Sequence, residues 1–60
     1  MESFKVALRD TISAMTKLSE EWEKIEGDYS AVITEKYPFD KDFREILSDM
    51  IDWKGHLDSK

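Results

Sequence analysis

Residues 4–33 read FKVALRDTISAMTKLSEEWEKIEGDYSAVI, and the spacing of apolar side chains in this stretch decides the fold. One series runs Leu8, Met15, Trp22, Tyr29; a second runs Phe4, Thr11, Leu18, Ile25, Val32, each in steps of seven. Ile12 and Ile33 widen the stripe at the next position round. Apolar residues at this period predict an amphipathic helix with a coiled-coil-like seam. Strand-like alternation is absent. The outer face carries Lys5, Arg9, Lys17, Glu20, Glu21, Glu23, Lys24 and Glu26, with Lys17–Glu21 and Glu20–Lys24 spaced as i,i+4 pairs. Gly27 costs roughly 1 kcal/mol inside a helix relative to alanine. The heptad register nevertheless passes through it without a slip. One long helix over about residues 3–36 is the expectation, with Gly27 as the place for any bend.

Downstream, Pro38 disfavours helix at Tyr37 and stops the first helix. Asp40 or Asp42 can cap a second, and Asp42 with Glu45 three residues on fits a capping box. Phe43, Ile46, Leu47, Met50, Ile51 and Trp53 give this helix its apolar face. Lys54 followed by Gly55 reads as its end, a cation in the last turn and a glycine just beyond. The second helix is thus expected over about residues 41–54, with 56–60 a frayed tail. The whole chain makes one small helical domain, 1–60.

Sixty residues bury only ~60% of the surface their unfolded chain exposes, so a single core is marginal and chains of this size commonly need a staple. No cysteine is present and only one histidine, which removes disulfides, thiolate metal sites and histidine-rich metal sites. Fourteen acids against nine Lys and Arg give a net charge of −5. That balance argues against nucleic acid and against anionic membranes as partners. No apolar run approaches the ~20 residues of a membrane span. The opening decapeptide is charged throughout and lacks the apolar segment of a signal peptide, so a cytoplasmic chain is expected.

Candidate chemistry is thin. Asp49, Asp52 and His56 would share a face only if the second helix ran on past Gly55, and no other metal-ligand spacing occurs. His56, Asp58 and Ser59 are the residue types of a hydrolase triad, but they crowd one short tail, whereas triads draw on separate elements. Glu23 with Glu26, or Glu45 with Asp49, are carboxylate pairs with no sign of the burial that acid–base work requires. The acidic run Glu20, Glu21, Glu23, Glu26, Asp28 reads first as a solvated helix face and second as a docking patch for a basic partner. The aromatics Trp22, Tyr29, Tyr37, Phe39, Phe43 and Trp53 read first as filling between the helices and second as anchors for a partner.

These observations predict an all-α fold: a helical hairpin of one long and one short helix, packed with a second copy as a dimeric four-helix arrangement. A three-helix mini-bundle broken at Gly27 is the alternative. A short loop would confine the second helix to the Trp22–Ile33 end. On that geometry Ile25, Tyr29, Val32, Ile33, Phe39, Phe43, Ile46, Leu47, Met50 and Trp53 form the helix–helix core. Phe4, Leu8, Ile12, Met15, Leu18 and Trp22 are left over for self-association, with Leu8 at the centre of that seam. The expected role is a non-enzymatic protein-interaction module, such as an adaptor, inhibitor or regulatory subunit, with itself as a partner and no cofactor, metal, nucleic acid or membrane. An accessory subunit of a larger complex is a second expectation, and a DNA-associated regulator a remote third.

Overall fold

The helical period of residues 4–33 is realised as α1, Glu2–Thr34, in a computed structural model that describes all sixty residues. Phe43–Asp58 form α2, and no strand is present. The fold is an all-α hairpin of one long and one short helix.

α1 runs through Gly27 with ordinary backbone angles, so the chain does not form three helices. The bend falls two residues later, at Tyr29, where φ is −126° and ψ is 19°. A straight helix of this length would span about 48 Å. The longest dimension of the molecule is 42 Å, which fits a bent helix. α1 ends at Thr34, two residues before its expected end. Glu35 is extended, Lys36 takes a left-handed φ of 59°, and the Tyr37 N–H returns to the Thr34 carbonyl at 3.1 Å. Pro38 then forbids resumption.

α2 starts at an Asp42 cap, whose carboxylate accepts the Arg44 N–H at 2.8 Å. The Glu45 side chain makes no return bond to Asp42, so the expected capping box is not closed, although the Glu45 N–H donates to the Asp42 carbonyl at 3.0 Å. Asp42 instead also holds the Arg44 guanidinium, through Nε and Nη2, both at 3.0 Å. At its far end α2 passes through Gly55 to Asp58. The expected stop at Lys54 and the frayed tail are therefore corrected. Leu57 continues the apolar face by another turn, and Lys54 binds Asp58 at 2.6 Å across one turn. Together these offset the cost of an internal glycine.

The largest correction concerns where α2 lies. Phe43 stacks on Trp22 with ring centroids 5.8 Å apart, and Trp53 meets Phe4 edge-on at the same separation. α2 therefore runs back along the stretch of α1 from Trp22 to Phe4, not along the Trp22–Ile33 end. The link, residues 35–42, is long enough to permit this. The rise from Trp22 to Thr34 is about 18 Å, and eight extended residues reach up to about 28 Å. The α1 side chains shielded from solvent are Lys5, Leu8, Ile12, Met15, Ser19, Trp22, Glu26 and Ile33. On α2 they are Phe43, Ile46, Leu47, Met50, Lys54 and Leu57. Only Leu8 and Phe43 fall below a tenth exposed, at 5% and 7%.

This core is small and the shape is long. The radius of gyration is 13.6 Å, against about 10 Å for a compact chain of sixty residues. The accessible surface is 4704 Å², against about 4,100 Å² expected for a folded monomer of this mass. A Cβ added at Gly27 or Gly55 meets nothing within 4 Å, and neither has a positive φ. Gly27→Ala and Gly55→Ala are each expected to raise stability by about 0.5–1 kcal/mol, read as a higher midpoint in urea. Trp22→Ala is expected to cost ~3–5 kcal/mol, a loss that this core cannot absorb. Circular dichroism of that variant should show most of the helical signal gone.

Candidate functional site

Two assemblies of side chains stand out, one at the link and one along α1. At the link, Trp22 is stacked on Phe43 and met edge-on by Tyr37 at 5.6 Å, and Tyr37 in turn meets Phe39 edge-on at 5.6 Å. The Tyr37 hydroxyl donates to the Lys41 carbonyl at 2.8 Å, closing the link on itself. Loss of water around the Tyr37 ring raises its pKa, and the Asp42 charge adds to this. The filling expected of the aromatics is thus observed for Trp22, Tyr37 and Phe43, while Phe39 stays 49% exposed.

Arg44 is the electrostatic centre of the same end. It reaches Asp42 on its own element and, at 3.7 Å each, Glu23 and Glu26 on α1. Two carboxylates noted as a possible acid–base pair are thereby members of a helix-to-helix ion-pair cluster. All of its members are substantially exposed, so their contribution is orientation more than stability. The remaining acids of that run are also engaged or solvated: Glu21 accepts from Lys24 at 2.8 Å, with Lys17 at 3.9 Å. The hydrogen bond from Lys24, then its charge, lowers the Glu21 pKa.

Along α1 the seven-residue line Phe4, Leu18, Ile25, Val32 remains open, at 46, 53, 43 and 68% exposure, with Thr11 in the same line. Tyr29 beside it is 54% exposed. Contact between Phe4 and Trp53 shows that this line borders the α1–α2 interface on the Trp53 side. The two residue sets expected from the sequence are therefore redistributed. Leu8, Ile12, Met15 and Trp22, expected free for self-association, lie under α2, whereas Phe4 and Leu18 stay open. Of the expected core, Phe43, Ile46, Leu47, Met50 and Ile33 are shielded, but Ile25, Tyr29, Val32 and Trp53 are open. The cause is the backward run of the link, which leaves α1 beyond Trp22 without a covering helix.

Elsewhere, an open cleft of about 280 Å³ lies between the start of α1 and the end of α2, lined by Glu2, Lys5, Val6, Arg9, Lys54 and Asp58. Two of its cations are already in use: Lys54 binds Asp58, and Arg9 binds Asp10 at 3.1 Å. Because α2 continues past Gly55, Asp49, Asp52 and His56 do occur on one helix. They form no group that could hold a metal, and Asp49 is taken by Lys41. No helix is long and apolar enough to cross a membrane. Comparison with protein-family models, with curated proteins and with solved structures finds no significant match to this chain.

Asp42 ties the cap, the link and Arg44 together, and its pKa is lowered, chiefly by the side-chain hydrogen bond from Arg44 and next by that residue's backbone N–H. A carboxylate with a lowered folded pKa stabilises fully above its unfolded value, about 3.9, and the benefit is lost as pH falls through the lowered value. Helicity is expected to drop on acidification below about pH 4. Asp42→Asn retains a capping side chain but cannot titrate. It should be less stable at neutral pH and lose less on acidification, as read by circular dichroism across an acid titration.

Proposed function

We propose that this chain is a non-enzymatic protein-interaction module that pairs with a second copy of itself through the open line of α1. The observation that carries this is the run Phe4, Leu18, Ile25, Val32, with Tyr29 alongside: large apolar side chains at coiled-coil spacing, 43–68% exposed, on a face that α2 touches only where Trp53 meets Phe4. The surface is about 600 Å² larger than a compact monomer of this mass presents. That excess approaches the roughly 800 Å² per partner that a stable interface buries. A hairpin with two buried residues also has little to hold it alone, and an isologous two-fold contact is the commonest remedy.

The same face suits an adaptor, inhibitor or regulatory subunit that presents a helix to a partner. The openness of the one cleft and the solvent-exposed state of the ion pairs support a role without catalysis. The acidic composition supports protein rather than nucleic acid as the partner. A cysteine-free chain suits the cytoplasm, where disulfides would not form.

The test is Leu18→Asp, with Ser13→Asp on the opposite side of α1 as control. Leu8→Asp does not serve, because Leu8 lies in the hairpin's own core and its loss would unfold the chain. Light scattering and circular dichroism over a concentration series should give a dimeric mass for the parent and the control, and a monomeric mass with reduced helicity for Leu18→Asp. A parent that remains monomeric and fully helical at high concentration would overturn the proposal.

A further inference from the structure

We infer that, given the self-association proposed above, the two copies run antiparallel about a two-fold axis at Leu18, each copy's α2 covering the bare end of its partner's α1. Three observations converge on this orientation.

The first is coverage. α2 shields α1 between Phe4 and Trp22, and the segment carrying Ile25, Tyr29 and Val32 has no helix over it. An antiparallel register centred on Leu18 pairs residues whose numbers add to thirty-six. Leu18 then meets its own copy, Thr11 meets the partner's Ile25, and Phe4 meets the partner's Val32. Phe4 and Trp53, both nearly half exposed and in edge contact, form a two-helix floor at that end. The partner's bare segment rests on it. A parallel pair would set bare segment against bare segment and leave both without a second helix.

The second is symmetry of the bundle. Seen down α1, the open line and the α2-facing line lie side by side on the helix surface. With antiparallel partners both short helices fall on the same side of the α1–α1 contact, as a four-helix arrangement requires. With parallel partners they fall on opposite sides.

The third is charge along the outer edge of the line, where Asp10, Lys17, Glu21, Lys24 and Asp28 lie. In the antiparallel register the outer edges of the two copies adjoin. Asp10 then lies near the partner's Lys24 and Lys17 near the partner's Glu21, each offset by two residues, about 3 Å along the axis. The two-fold axis repeats both pairs. At coarser scale, Met1–Ser19 carries three bases and two acids, while Glu20–Glu35 carries one base and six acids. Antiparallel packing sets the acidic half beside the more basic one, whereas parallel packing sets it against itself. Exposed pairs of this kind add little to affinity, but like charges placed opposite one another select against the wrong orientation.

The absence of native cysteine makes the test direct. Full-length Thr11→Cys and Ile25→Cys chains, both altered at exposed positions, are mixed, unfolded, refolded together and oxidised slowly. Mass spectrometry then counts the disulfide products. The antiparallel register gives the mixed product, which joins one Thr11→Cys chain to one Ile25→Cys chain, well above the half share of random pairing. Predominance of the two self-paired products overturns the orientation while leaving self-association intact. A random distribution from a chain of monomeric mass overturns self-association itself, and a random distribution from a dimer overturns the register. A second variant guards against misfolding: a nitroxide on Glu2→Cys lies off the line, at the end of α1. Pulsed electron resonance should find the two labels about 48 Å apart along the axis if the helices are antiparallel. A separation under about 20 Å, little more than the 8–10 Å between packed helix axes plus the labels, would mean they are parallel.

Discussion

The stacking of Phe43 on Trp22 fixes everything else in this molecule. It sets the first residue of α2 against a position twelve residues before the end of α1. The link must therefore double back, and Tyr37 and Phe39 are drawn into the same aromatic group on the way. Once Phe43 is seated, the antiparallel run of α2 carries Trp53 to Phe4 with no further choice. Both the shielded seam and the bare segment beyond Trp22 descend from that single contact. An aromatic pair can carry this burden because it combines large buried area with a preferred geometry.

The rest of the structure is lean. Two buried residues and a ring of half-shielded ones hold two helices whose combined apolar surface is larger than they can hide from each other. The seam tolerates Ser19 and Glu26 on α1 and Lys54 on α2 because it is only half closed. Polar tips reach water while their stems cover apolar neighbours. A fully enclosed core would have excluded them. The sparseness of the hairpin and the openness of the Phe4–Val32 line are two aspects of one fact.

Much of this was legible in the sequence, because local chemistry governs it. Heptad spacing marks α1, Pro38 keeps the chain from resuming it, Asp42 caps α2, and the absence of strand-like alternation marks the all-α class. The side of α1 that faces α2 was not legible. Leu8, Met15 and Trp22 belong to the seam on either reading. Their companions could be Phe4, Leu18, Ile25 and Val32, the more apolar line, or Ile12, Ser19, Glu26 and Ile33, the more polar one. Hydropathy favours the first, and the structure uses the second. What decides is the seating of Phe43 on Trp22 across a doubled-back link, a tertiary contact with no local signature. The run of α2 through Gly55 and the bend at Tyr29 were likewise hidden. In each case a glycine invited a break that neighbouring contacts, Leu57 and the Lys54–Asp58 pair among them, or the lack of them, moved elsewhere.

The two tryptophans sit at opposite ends of the helix–helix seam, Trp22 at the closed link and Trp53 at the open end. Each has its own aromatic neighbour and its own solvent exposure, so the chain carries two independent optical reporters of one interface. The open end is joined by no covalent link and rests on the Phe4–Trp53 edge contact and the packing around Leu8 and Leu57, whereas the closed end is also tied by the backbone. Local opening at the free end, where no backbone tie joins the helices, would be read at Trp53, and opening at the link at Trp22. The two tryptophans thus report separately on the two ends of one short interface.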